Sequence, residues 1–188
     1  MKKRYWLLAV LGVVAFVATV VTASRFGRFR VLSHSMEPTV MSGDCVIVDM
    51  WYYRSHEPQR GEVVMFRFPE DIRRDFINRC VAIPGDTIEI RGKQVLLNGN
   101  PLTSDDAASR DGAKIDQESG TTPGWNSIPR LEVPEGSCFC LGDNRERSLD
   151  SRYWGLLSYE LLRGKPLAVY WSKDLSRVGT RLNPRASE

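Results

Sequence analysis

Histidine is nearly absent, with two residues in 188, and cysteine is sparse at four. Cys45, Cys80, Cys138 and Cys140 provide one C-x-C and no second pair at the spacing a zinc site needs, so no metal and no other cofactor is expected. On a strand, Cys138 and Cys140 would share a face as small apolar residues, and the sequence does not fix any disulfide pairing. Excess charge is also small: 26 basic against 23 acidic residues give +3. Lys2, Lys3, Arg4, Arg25, Arg28 and Arg30 all fall near the amino end, so the body is mildly acidic and nucleic acid is an unexpected partner. Internal repeats are missing, and only one apolar run reaches spanning length, which excludes a membrane-embedded body. Composition is otherwise that of a globular chain, 42% hydrophobic and 26% charged.

That one run, Tyr5 to Ala23, has 19 residues without a charge. At about 1.5 Å per residue it reaches roughly 28 Å, close to the hydrocarbon thickness of a bilayer. It is longer than a secretory-signal core and leads into a basic, aromatic stretch, 24–30, that reads as an interfacial linker. The expected organisation is a short amino terminus (1–4), a single transmembrane helix (5–23), that linker, a body over 31–175 and a tail over 176–188. Charge counting on the two flanks of the run leaves its orientation open.

Short segments rich in β-branched residues follow: Cys45 to Val48, Val63 to Phe68, Arg79 to Ile83, Thr87 to Ile90, Gln94 to Leu97, Cys138 to Leu141 and Leu167 to Trp171. Turn signals such as Pro84-Gly85-Asp86 and Asn98-Gly99-Asn100 separate them, so the body is expected to be mainly β and largely antiparallel. The stretch at about 103–130 is polar and reads as an insert.

Chemistry-bearing strings occur in order. Ser33-His34-Ser35-Met36-Glu37-Pro38-Thr39 is followed by Gly43-Asp44, by Arg60-Gly61-Glu62, and by Asn78-Arg79 leading to Pro84-Gly85-Asp86. Last comes Gly142-Asp143-Asn144-Arg145, which continues through Ser148, Asp150, Ser151 and Arg152 to Gly155. These blocks, behind an amino-terminal apolar run, resemble the bacterial type I signal peptidases, membrane-bound serine endopeptidases that remove signal peptides from exported proteins. The resemblance covers Val31 to Trp171 apart from the polar insert.

The resemblance implies an antiparallel β catalytic domain of the signal-peptidase type behind one transmembrane helix. It implies that the amino terminus is cytoplasmic and the body lies outside a bacterial inner membrane, with the bilayer and signal peptides as partners. Matched position by position, Ser35 is the nucleophile, Ser33 an oxyanion donor and Ser148 the residue that orients the base. Asp150 and Arg152 form a supporting charge pair, with Asp143 and Arg145 nearby. Val31, Met36, Val40, Phe76 and Ile77 are candidates for lining pockets that accept small side chains.

One match fails. The family's base is a lysine immediately before the Arg of the block ending Pro-Gly-Asp, and Asn78 stands there. A serine hydroxyl needs a proton acceptor, and an amide has no titratable group to supply one. Asn78 is then an introduced change, the mark of a homologue that binds signal peptides without cutting them, or a sign that the base has moved. For the last, only His34, His56 and Lys93 offer themselves, and each is poorly placed: His34 on the face opposite Ser35, His56 in a loop and Lys93 in a hairpin turn.

Overall fold

The computed structural model describes residues 5–6, 10–14, 16, 24–92, 94–102 and 127–183. The expected membrane run lies largely outside these, as do Lys93 and most of the polar insert. The described parts of the run are helical, and among the described residues no helix is long and apolar enough to cross a membrane.

Among the described residues eleven strands form two antiparallel sheets: β1 (Phe26–Arg30), β2 (Cys45–Asp49), β3 (Val63–Phe68), β4 (Asp71–Ala82), β5 (Thr87–Arg91), β6 (Gln94–Leu97), β7 (Asn100–Pro101), β8 (Ser127–Glu132), β9 (Ser137–Leu141), β10 (Leu157–Ser158) and β11 (Leu162–Trp171). The larger sheet runs β1-β2-β11-β3-β4-β9-β10, and the smaller β7-β6-β5-β8. The mainly β expectation holds. Two expected boundaries shift. Residues 26–30, read as linker, form the edge strand β1, and β8 begins inside the stretch read as insert.

β3 shows why the sheet is covered on both faces. Successive side chains on a strand point oppositely. Val63 and Met65 enter one core with Val46, Val48 and Val169, while Val64 and Phe66 enter another with Cys80, Cys138, Cys140 and Leu157. Cys138 and Cys140 do share a buried face of β9, with their sulfurs 3.6 Å apart, and all four cysteines are free thiols. A third core, including Val81, Ile88, Ile90, Phe139 and Leu141, joins the ends of β4 and β9 to the smaller sheet.

β4 changes character along its length. Its first residues are charged and exposed, and its last are fully buried. Asn78 and Arg79 mark that transition, with Arg79 opposite Leu141 at the end of β9. The loop from Gly142 to Asp150 leaves β9 beside them.

Buried carboxylates pin the loops. Burial alone would raise the Asp86 carboxyl, but hydrogen bonds from Ile83 N–H, Asn98 and Arg60 outweigh it and hold the group below its ordinary value. Asp44, against Arg177, and Asp49, against Arg25, are lowered in the same way despite their burial. A carboxylate with a folded pKa below its unfolded one adds stability above the unfolded pKa and loses it as pH falls through the folded value. The urea midpoint, followed by tryptophan fluorescence, is therefore expected to fall steeply below about pH 4. Asp86→Asn should be less stable at neutral pH and show a shallower acid loss.

Candidate active site

Ser35 sits in a run of turns between β1 and β2, on the wall of a cleft of about 480 Å³. Three attachments fix this turn. Asn144 N–H donates to Ser35 O at 3.0 Å, Thr39 Oγ1 donates to Asp143 Oδ2 at 2.5 Å, and Arg177 Nη2 donates to Thr39 O at 3.0 Å. The Ser35 hydroxyl itself makes one long contact, donating to Arg147 O at 3.5 Å.

Asn78, next to the lining residue Ile77 but not itself on the cleft wall, is 1% exposed. Its amide orientation follows from the hydrogen-bond network. With the oxygen accepting from Ser148 Oγ at 3.2 Å and Gly142 N–H at 3.1 Å, and the nitrogen donating to Ile77 O at 3.1 Å, the amide is satisfied. The buried Ser148 hydroxyl therefore faces residue 78. Gly142 joins the two halves: a Cβ there would overlap the Ser148 side chain and stand 2.5 Å from Ser35 O. That contact puts Ser35, Gly142, Ser148 and Asn78 in one cluster.

Asp150 and Arg152 form the charge pair expected of them, while Asp143 takes its partner from outside its own block. Asp143 pairs with Arg79, whose Nε and Nη2 donate to the two carboxylate oxygens at 2.8 and 2.6 Å, both side chains being 1% exposed. Arg145 instead donates through Nε to Gly142 O at 2.9 Å. Asp150 and Arg152 form a buried pair at 2.7 Å, and Asp150 also accepts from Gly142 N–H at 3.0 Å and caps the short helix Ser151–Trp154. Arg152 Nη2 reaches Arg145 O at 2.6 Å, so this pair shapes the loop rather than facing the cleft.

Of the expected pocket residues, Val31, Phe76 and Ile77 line the cleft, and Ser33 lies beside them. Met36 and Val40 do not. They are 1% and 0% exposed and pack into the core with Val46 and Val63, because the turn points their apolar side chains inward. Met65, Leu32, Leu149, Arg74 and Arg147 complete much of the wall. None of these was marked by the sequence pattern, since they come from four separate segments.

No histidine or lysine lines the cleft among the described residues. His34 Nδ1 lies 2.7 Å from Glu37 Oε1, and His56 stacks on Tyr52 with ring centroids 4.5 Å apart. Among the described residues, no group of His, Cys, Asp or Glu is arranged to hold a metal ion.

The family model for signal peptidases, peptidase S26, matches residues 3–171. The chain belongs to that family. By family it is a serine endopeptidase of the signal peptidase I type. A probable signal peptidase I-1 from Synechocystis is 34% identical over 72% of this chain and 66% of its own length, so this chain spans just under two thirds of that relative. A signal peptidase I from Aquifex aeolicus is 29% identical over 88% of this chain and 80% of its own. Signal peptidase I V of Bacillus subtilis is 32% identical over 82% and 91%. A solved signal peptidase I from Enterococcus faecalis is 31% identical over 58% of this chain and 97% of that one, with a TM-score of 0.42. The assignment rests on the sequence matches.

Proposed function

We propose that this chain is a membrane-anchored signal peptidase that takes signal peptides of exported preproteins into the cleft beside Ser35, and that Asn78 leaves its peptide-bond hydrolysis impaired. In this reading Ser35 attacks the scissile carbonyl to form an acyl-enzyme, which water then hydrolyses. The Ser35 backbone N–H and the Ser33 hydroxyl stabilise the oxyanion; preplaced donors of this kind contribute roughly 3 to 4 kcal/mol. The substrate lies extended between the segment leading into Ser35 and the Asp75 to Arg79 part of β4, bonded through its main chain, with small side chains against Val31, Phe76 and Ile77. Residues 5–23 hold the body outside a bacterial inner membrane, near where signal peptides leave the bilayer, which raises their effective concentration.

The observation that carries this reading is the accessible Ser35 cleft joined, through the close approach of Gly142 to Ser35 O and Ser148, to the buried, hydrogen-bonded amide of Asn78. The same amide favours a second reading, a signal-peptide-binding protein that does not cut, because its bonds to Ser148 and Gly142 leave no lone pair poised to take a proton.

The two readings separate in one experiment. A labelled preprotein peptide is mixed with the full chain in detergent, binding is followed by anisotropy and products by mass spectrometry. Saturable binding with slow cleavage that Ser35→Ala abolishes supports the peptidase. Binding with no product above the Ser35→Ala background supports the non-cutting protein. Absence of binding sinks both.

A further inference from the structure

The floor of the Ser35 cleft is apolar, but its rim is strongly basic. Arg30, Arg74 and Arg147 all line it and all are exposed. Among the described residues none of the three forms an ion pair, although Arg74 is near enough to Asp71 to help hold that carboxyl below its ordinary value. Arg74 lies over the rings of Phe68 and Phe76, at 5.6 and 5.2 Å from their centroids, contacts that position a guanidinium without neutralising it. The one acid on the wall, Asp75, faces Arg163 at 3.5 Å, outside the cleft lining. The cleft therefore presents net positive charge around small apolar pockets. Charged walls of one sign concentrate ligands of the other.

The placement of these arginines is specific. Arg147 is beside the nucleophile, because its carbonyl accepts from the Ser35 hydroxyl. Arg74 is four residues before Asn78 on β4, and at about 3.3 Å per residue that is roughly 13 Å along the strand from residue 78, the span of four residues of an extended ligand. Arg30, on the last residue of β1, lines the same cleft as Arg74.

We infer that this cleft selects extended peptides carrying an acidic side chain next to the scissile bond and a second one about four residues away, toward Arg30 and Arg74. The inference rests on the peptide-binding reading above and adds the charge of the preferred ligand to it. Carboxylates fit these sites because a guanidinium offers them a planar, two-pronged set of donors. Small side chains between the two acids would meet Val31 and Ile77.

The test is a set of labelled peptides of identical length and small-residue pattern, with Glu or Gln at the two positions on either flank, titrated against the full chain in neutral detergent. The Glu peptide is expected to bind about three- to tenfold more tightly than the Gln peptide, and the ratio to shrink toward one in about 0.5 M salt, as exposed charge pairs do. Arg74→Gln with Arg147→Gln should bring the ratio to about one even at low salt. If Glu and Gln peptides bind equally, the charge selection is wrong while the peptide-binding reading stands. If neither binds, that reading falls and takes this inference with it. If the double variant instead loses binding to phosphatidylglycerol vesicles, and peptide charge makes no difference, the arginines are membrane contacts and the inference is overturned.

Discussion

Asn78→Lys is expected to raise the rate of signal-peptide hydrolysis by about 10²- to 10⁴-fold, the usual contribution of a general base. The substitution enters a position that is 1% exposed and faces Ser148. An ammonium there is desolvated, which lowers its pKa and leaves part of the population neutral and able to accept the Ser35 proton. Ser148, freed from the amide, orients the new amine. The gain should appear in kcat more than in KM, since the proton acceptor acts in the transition state and the pockets are untouched. Asn78→Gln keeps an amide and is expected to give no gain, and Ser35→Ala in the lysine background should return the rate to baseline. A lysine variant that cuts no faster, while binding peptide normally, would place the proton acceptor elsewhere and remove residue 78 from the mechanism.

The second large effect concerns Arg79. Removing it strands the Asp143 carboxylate, 1% exposed, without its two guanidinium donors. Breaking a buried pair from one side typically costs about 3–5 kcal/mol, a large share of the roughly 5–15 kcal/mol that stabilises a domain. Arg79→Ala is therefore expected to lower the urea midpoint sharply or to yield insoluble protein. Arg79→Met with Asp143→Leu should recover much of that loss, because apolar pairs of similar volume often replace buried ion pairs at little cost. The double variant should still bind signal peptide poorly, since Asp143 also holds Thr39 and through it the Ser35 turn. Recovery of both stability and peptide binding would show that Asp143 only fills space.

The contrast between these two residues explains what the sequence made legible. Position 78 stood out because it breaks a recognisable string, and the structure places it against Ser148. The Arg79–Asp143 pair could not be read, because its members lie 64 residues apart and each has nearer candidates for a partner. Strands β3 and β6 were legible to the residue because apolar, β-branched runs sit between turn signals. The first half of β4 was not: Asp71 to Asp75 is mostly charged and largely exposed, with Ile72 its one apolar residue, and pairing with β3 extends the strand there without an apolar pattern. β1 was hidden for a similar reason, its arginines lying on an edge strand where charge is tolerated. Met36 and Val40 were misassigned to the pockets because a turn, unlike a strand, gives no periodic rule for which side chain faces inward.

Gly142 gives the arrangement a further property. Any side chain there collides with Ser148 and with the carbonyl of Ser35, while Asp150 grips its amide from behind. The backbone beside Ser35 is thus fixed by close contact, so a change of side chain at residue 78 is expected to alter the chemistry offered there without reshaping the loop that surrounds it.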